Sequence, residues 1–421
     1  MGAIDQYIEL FNTSRDTIDS NSAGPINALR EEAAQLLGGM KLPRRGDENY
    51  ANIDMEEMLT PDFGLKLDSP DLKVNTDAFG KLPEGVEVGS LRAFARKHPE
   101  QVAAYYGKIA DPANPIVALD NLLVQDGLYL HVKSGVKLQR PLQLINLLEN
   151  TQPEMAVRRV LVVIEDDAEC KLLVCDHSHR DDVSLLELET VEISLGQRAR
   201  FDYYHIEEST ETTSRLSALY ARQAAYSQLN IDGVTLYNGR TRNEYHCTFE
   251  GEESTLRLYG MGIEDGDRHL STYSHISHNV ARCKSDELFK YTVDDRASGE
   301  FTGRIYVAPG AVKTEAFQAN RNLVGSSEAK MYSRPQLEIY NDDVKCSHGC
   351  AIGQLDAMQL FYMRTRGLSE AEAKLLLRQA FMADVIAGID APAIRDRLHL
   401  LIERRFSGLA SKCDACGNLE F

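Results

Sequence analysis

The chain has 421 residues, and 46 Lys and Arg stand against 64 Asp and Glu, a formal net charge of −18. A surface that acidic repels phosphate backbones and anionic lipid, which argues against nucleic acid or a membrane surface as the main partner and favours other proteins or cations. The length predicts two or three structural units, and an ordinary apolar fraction can fill their cores.

The opening stretch MGAIDQYIELFNTSRD has no basic start followed by an apolar run, so no secretory leader is expected. Gly2 is not followed by the Ser or Thr at the sixth position that myristoylation favours. No window is apolar over the length a bilayer span needs. The expected address is cytoplasmic, where the eight cysteines stay free thiols. Over the first hundred or so residues the pattern is helical. Pro25 suits a first helical turn, Ile26, Leu29, Ala33, Leu36 and Leu37 fall on one face, and Gly38-Gly39 ends the run. The turn-rich stretch LPRRGDENYANID follows, then a second helical pattern through SLRAFARKHPEQVAAYYGKIA, and DPANP (Asp111 to Pro115) reads as a linker.

From about Leu119 to Val344 short runs rich in branched and aromatic residues succeed one another, among them RVLVVIE, CKLLVC, RFDYYHI, EYHCTFE and LFKYTV. Gly, Asn, Asp and Glu clusters separate them. More than ten strands without intervening helices predict a sandwich, a barrel or a β-helix, and no fixed period chooses among these. Helical signals return after Gly353. Asp356 and Gln359 resemble a cap, Ser369 and Glu372 a capping box, and Gly367 a C-terminal stop. Leu377, Phe381 and Val385 mark one helical stripe, a last helix runs through IRDRLHLLIERRF, and the chain closes on KCDACGNLEF.

The stretch DDVKCSHGCAIGQLD, Asp342 to Asp356, holds the most suggestive chemistry. On a strand beginning at Val344, side chains two apart share a face, so Val344, Cys346 and His348 point one way. A thiolate and a neutral imidazole roughly 7 Å apart at Cα can serve one metal ion or sulfur species. Because Val344 shares the face, spacing alone favours an inert core thiol beside a hydrogen-bonded core histidine over a ligand pair. Cys413 and Cys416 form a lone CxxC close to the end of the sequence, where accessible tail thiols are the ordinary reading. His275 and His278 have opposite parity on one strand, as do Cys170 and Cys175, so neither pair is expected to meet. No Walker, GxGxxG or GxSxG sequence occurs.

The run from Asn320 to Ala373, NRNLVGSSEAKMYSRPQLEIYNDDVKCSHGCAIGQLDAMQLFYMRTRGLSEAEA, closely resembles the hallmark segment of the SufB/SufD family of iron–sulfur cluster assembly scaffolds. Its parts are Pro335 to Ile339, the Asp-Val-x-Cys-x-His-Gly turn at Asp343 to Gly349, Gly353 to Asp356, and Phe361 to Gly367. ALDNLLVQDGLYLHV, GVKLQRPLQL and SGEFTGRIYVAPGAVKTEAFQANRNL resemble earlier family segments. LPRRGDENY resembles the N-terminal motif, with Tyr50 where tryptophan is usual. The Gly-Gln-Leu-Asp after His-Gly is the SufD-like form.

The resemblance implies a mainly β fold, a right-handed parallel β-helix core flanked by helical regions: residues 1–117 helical, 118–350 β-helix, 351–421 helical. It implies a non-catalytic scaffold subunit that pairs with SufB and docks the ATPase SufC on the C-terminal helices. ATP would then act through SufC, and the chain would hold no tight cofactor of its own, only a transient iron–sulfur cluster within the complex. His348 matches the family histidine at the SufB–SufD interface and Cys346 a cysteine beside it. Cys350 stands where alanine is usual. Phe361, Tyr362, Arg364, Arg366 and Gly367 would lie in the SufC-facing region, and a homodimer of the isolated chain stays open. Three rivals remain: a thiol oxidoreductase using Cys413 and Cys416, a polysaccharide-acting β-helix enzyme, and a SufB-like member holding a cluster alone.

Overall fold

The computed structural model describes residues 2–66, 74–75, 82–148, 150–178 and 180–408. Helices α1 (Ala3–Ser20), α2 (Gly24–Asn27), α3 (Arg30–Gly39) and α4 (Met55–Leu59) come first. Pro25 occupies the first turn of α2, but the single helix expected there is two. The break lets Arg30 bury its guanidinium against the carbonyls of Leu122 and Val124, each at 2.7 Å. Strands β1 (Gly64–Leu65), β2 (Val74–Asn75) and β3 (Val86–Ser90) lead to α5 (Leu91–Lys97) and α6 (Pro99–Ala103). Pro99, which disfavours a helical residue before it, separates these two. Asn114 then caps α7 (Pro115–Leu123), accepting from the Ile116 N–H at 2.8 Å.

The strands follow: β4 (Gly127–Val132), β5 (Leu142–Leu148), β6 (Glu154–Ile164), β7 (Glu169–Ser178), β8 (Leu185–Leu195), β9 (Arg200–Glu208), β10 (Thr213–Gln223), β11 (Gln228–Tyr237), β12 (Arg240–Phe249), β13 (Thr255–Glu264), β14 (His269–His278), β15 (Lys284–Val293), β16 (Ser298–Val307), β17 (Glu315–Val324), β18 (Lys330–Ile339) and β19 (Lys345–Gly353). Each pairs in parallel with the strand two places on. Even-numbered strands therefore stack in one sheet and odd-numbered ones in the other. The result is a parallel β-solenoid of about eight turns with helices at both chain ends, a mainly β protein.

One face of each strand fills the interior and the other meets solvent or a helix. In β7, Cys170, Leu172 and Val174 join the interior core, while Leu173 and Cys175 face outward under the C-terminal helices. In β8 and β10, Leu186, Leu188, Leu216 and Ala218 face outward into a second core built with Tyr7, Phe11, Ile116 and Leu119. Burial on both faces is why early strands read as continuous apolar runs.

The repeat is real but uneven. Ser214 pairs with Arg240, 26 residues on, whereas Ser298 pairs with Lys330, 32 residues on. Before successive odd-numbered strands a left-handed residue recurs, at Asp167, Arg198, Tyr226, Glu253, Arg282 and Lys313, with φ from 57° to 63°. A small buried residue follows each: Ala168, Ala199, Ser227, Ser254, Cys283 and Thr314.

Helices α8 (Ala357–Thr365), α9 (Glu370–Ala387) and α10 (Pro392–Phe406) end the described chain. The buried stripe of α9 is Met382, Val385 and Ile386, with Ile389 beyond it; Leu377 and Phe381 lie only half-buried beside it, so the expected stripe is turned by about one residue. Lys290 fastens α9 to the solenoid, donating to Asp384 at 2.5 Å and to the Phe381 carbonyl at 2.7 Å. Arg405 fastens α10 through Asp265 and the Leu236 carbonyl.

Candidate functional site

The hallmark turn is built by local polar bonds. Asn341 donates to the Pro309 carbonyl at 2.6 Å and accepts from the Asp343 N–H at 2.9 Å, an Asx turn. The Asp343 carbonyl takes the Lys313 N–H at 2.6 Å, and the Lys345 N–H reaches the Thr314 carbonyl at 2.8 Å. These bonds seat β19 on β17 in register, with Cys346 beside Ala316, His348 beside Gln318 and Cys350 beside Asn320.

Among the described residues, β19 pairs with no strand on its far side, and neither does β18. The solenoid therefore ends on two open edges. Ala316 and Gln318 are buried, so their register neighbours Cys346 and His348 stand on the inward face of the last rung, as their spacing predicts. Cys346 is half-buried against the interior core; His348 and Cys350 are exposed. Burial pushes the Cys346 thiol up, and a hydrogen bond with the Ala316 backbone only partly offsets it. A metal or sulfur electrophile would have to displace its proton. Along an extended strand Cys346 and Cys350 stand roughly 13 Å apart, too far to share one ion. Among the described residues no group of three or more His, Cys, Asp or Glu side chains is placed to hold a metal. Any ion held at these side chains would need donors beyond those the described residues bring together.

The other described cysteines are buried structural thiols. Burial pushes Cys170 up to about 12 and drives Cys175 and Cys247 higher still. Cys283 fills a small-residue turn position, with its thiol 3.4 Å from the Gly251 carbonyl. His278 points into the core and His275 outward; burial lowers them to about 3 and about 4. Cys413 and Cys416 lie outside the described residues.

Helix α8 buries no residue. Asp356 caps it, accepting from the Met358 N–H at 2.7 Å, and Gly367 stops it at φ +95°. Met358, Phe361 and Tyr362 are 73%, 63% and 58% exposed. Arg366 stacks on Tyr362 and donates to its hydroxyl at 2.9 Å, and Arg364 faces Glu370 at 3.6 Å. The sequence did not single out the exposed Phe317, Tyr332, Ile339, Tyr340 and Ile352 around the open edge. In a strand pattern an uncovered apolar residue looks the same as a covered one.

The LPRRGDENY segment crosses the outside of the even-numbered sheet. The Tyr50 ring lies under Arg242 at 4.3 Å and its hydroxyl donates to Glu244 at 2.7 Å. The Glu48 carbonyl accepts from Arg334 of β18 at 2.8 Å.

Residues 146–381 match the family described as "SUF system FeS cluster assembly, SufBD core domain", and residues 1–80 and 75–144 match the "SufBD protein N-terminal region". An iron–sulfur cluster assembly SufBD family protein of Synechocystis is 27% identical, covering 89% of this chain and 90% of that protein. The iron–sulfur cluster assembly protein SufD of Escherichia coli is 34% identical over 40% of each chain, and SufD of Bacillus subtilis 25% identical over 76% of this chain and 74% of its own. No helix among the described residues is long and apolar enough to cross a membrane. With its core and N-terminal regions both matched, the chain belongs to the SufBD family of the SUF system for iron–sulfur cluster assembly and is SufD-like.

Proposed function

We propose that this chain is a non-catalytic, cytoplasmic scaffold subunit that completes its site by pairing its open solenoid end with SufB, while α8 to α10 dock the SufC ATPase. One observation carries the reading: Cys346, His348 and Cys350 stand on a strand that, among the described residues, has no neighbour beyond it. Free N–H and C=O groups on β18 and β19 offer main-chain pairing, and the exposed Ile339 and Ile352 offer apolar contact. His348 is the ligand or ligand-orienting group, with Cys346 beside it and Cys350 as a further thiol; the cluster is cargo completed by partner donors. ATP acts through SufC, whose two states bind the C-terminal helices differently and shift the pair between two arrangements. Phe361 and Tyr362 supply the apolar part of that contact, Arg364 and Arg366 its charge, and Gly367 the stop that orients the helix.

The test is co-expression with SufB and SufC of the same organism, followed by size exclusion with and without ATP. The Ile339→Asp/Ile352→Asp double variant should lose SufB, Phe361→Asp should lose SufC alone, and His348→Ala should keep both while losing cluster reconstitution. Absence of any complex with the wild-type chain overturns the proposal, and an assembled His348→Ala complex with full cluster yield removes His348 from the site.

A further inference from the structure

One interior column of the odd-numbered sheet changes character near the open end. In register it reads Tyr203, Ile231, Leu258, then Glu287, Gln318 and His348. Apolar filling gives way to a carboxylate, an amide and an imidazole on three successive strands. Glu287 and Gln318 are buried, Gln318 at 3% exposure. The neighbouring amides are accounted for: Asn320 and Asn322 bond each other, and they donate to the carbonyls of Phe289 and Ala351. Gln318 differs. Its Nε2 donates to Glu287 Oε2 at 2.5 Å, while its buried Oε1 has no hydrogen-bond partner.

A buried acceptor left without a donor costs about 1–3 kcal/mol and calls for a reason. Above about pH 7 Glu287 is ionised and only accepts, so there it takes the NH2 end of the amide and turns the oxygen away from itself. In-register strands lie about 4.8 Å apart, and the next inward side chain on the following strand is His348, whose ring carries an N–H donor. Burial pushes Glu287 up to about 7, and the hydrogen bond from Gln318 is among the contacts that favour its ionised form.

We infer that Gln318, oriented by Glu287, is a positioning residue for His348: the two are not hydrogen-bonded in this structure, and rotation of the exposed His348 ring lets the free amide oxygen accept one ring N–H and so present the other nitrogen, unprotonated, toward the open edge. A ligating histidine ordinarily donates its second ring N–H to such an acceptor, which fixes tautomer and ring orientation. The inference rests on the proposed ligand role of His348, and the two are separable by experiment.

The experiment compares full-length wild type, Gln318→Met, Gln318→Glu and His348→Ala. Histidine-selective nitrogen NMR of the isolated chain, with His348→Ala assigning the resonance, reads the tautomer. Wild type should show one dominant neutral tautomer, Gln318→Met an average of both, and Gln318→Glu, which keeps an acceptor oxygen, the wild-type form. In the SufB–SufC complex, Gln318→Met should lower cluster yield about 10-fold, with recovery in Gln318→Glu. An unchanged tautomer in Gln318→Met overturns the positioning role even if cluster yield falls. A changed tautomer with full cluster yield in His348→Ala upholds positioning and sinks the ligand role instead.

Discussion

At the N-terminal end of the solenoid, β4 is covered along Leu128 to Val132 by antiparallel β3, and β5 meets antiparallel β2 at Gln143 and Leu144. Helices α5 and α6 pack beside it, with Leu91 and Val102 against Tyr129 and Leu161. At the other end, among the described residues, β18 and β19 have a neighbour on one side only, and most of β19 is exposed. Open edges invite pairing, and proteins usually blunt them. Here one end is blunted and the other carries the hallmark residues. The difference shows which end the described chain closes for itself and which it does not.

The largest expected contrast lies in ion pairs. Near the closed end Arg159 is fully buried, 2.6 Å from Asp120 and 2.7 Å from Glu192, with Tyr106 stacked on its guanidinium. Glu192 also accepts the N–H groups of Gly107, Ile109 and Ala110, which ties the helical region to β8. Burial alone would raise Glu192, yet Arg159 and these N–H groups hold it below the ordinary carboxylate range, while burial still pushes Asp120 up to about 7. Arg159→Met strands two buried carboxyls and should cost about 3–5 kcal/mol in urea unfolding. The half-exposed Arg304–Glu338 pair nearer the open end should yield less than about 1 kcal/mol on Arg304→Met. Equal losses would mean that the closed end is no better anchored than the open one.

A matched glycine pair sharpens the same contrast. A Cβ on Gly127, at the start of β4, would stand 1.7 Å from the Arg159 carbonyl oxygen, whereas one on Gly349 in β19 meets nothing within 4 Å. Gly127→Ala forces a backbone shift and should destabilise by about 3 kcal/mol, against less than about 0.5 kcal/mol for Gly349→Ala. If Gly349→Ala were the costlier change, β19 would have to be packed in the free chain, and the open-edge description would fail.

These contrasts follow what the sequence could show. Period-two patterning exposed the strands, the Ser369–Glu372 capping box and Gly367 stop appear where expected, and parity placed Cys346 and His348 on one face. The rung period stayed hidden for two physical reasons. Rung lengths vary, and the repeated left-handed turn is filled by Asp, Arg, Tyr, Glu and Lys rather than by the glycine or asparagine that marks such turns. The resemblance of the hallmark segment, rather than periodicity, pointed to a β-helix. The role of Gln318 was also illegible. An amide in a strand pattern reads as solvent-facing until the register shows it sealed between Glu287 and His348.

The smallest expected effect is a pH dependence rooted in the packed rungs rather than at the open end. His278 is fully buried beside the Phe249 ring; its Nε2 lies 2.9 Å from Ser285 Oγ, and its Nδ1 has no hydrogen-bond partner. Protonation would place a charge and a second N–H donor where no acceptor stands, and burial lowers the group to about 3. The unfolded chain takes up that proton near pH 6.5, so between about pH 6.5 and pH 3 it binds more protons than the folded one. The stabilisation is complete above pH 6.5 and falls as pH drops, by up to about 1.4 kcal/mol per unit, or about 2 kcal/mol by pH 5. Urea midpoints of wild type and His278→Leu at pH 7 and pH 5 isolate this part: the variant should lose about 2 kcal/mol less on acidification than wild type. Equal acid losses would show that His278 meets a proton acceptor in the folded core, and that carboxylates such as Glu192 carry the acid sensitivity instead.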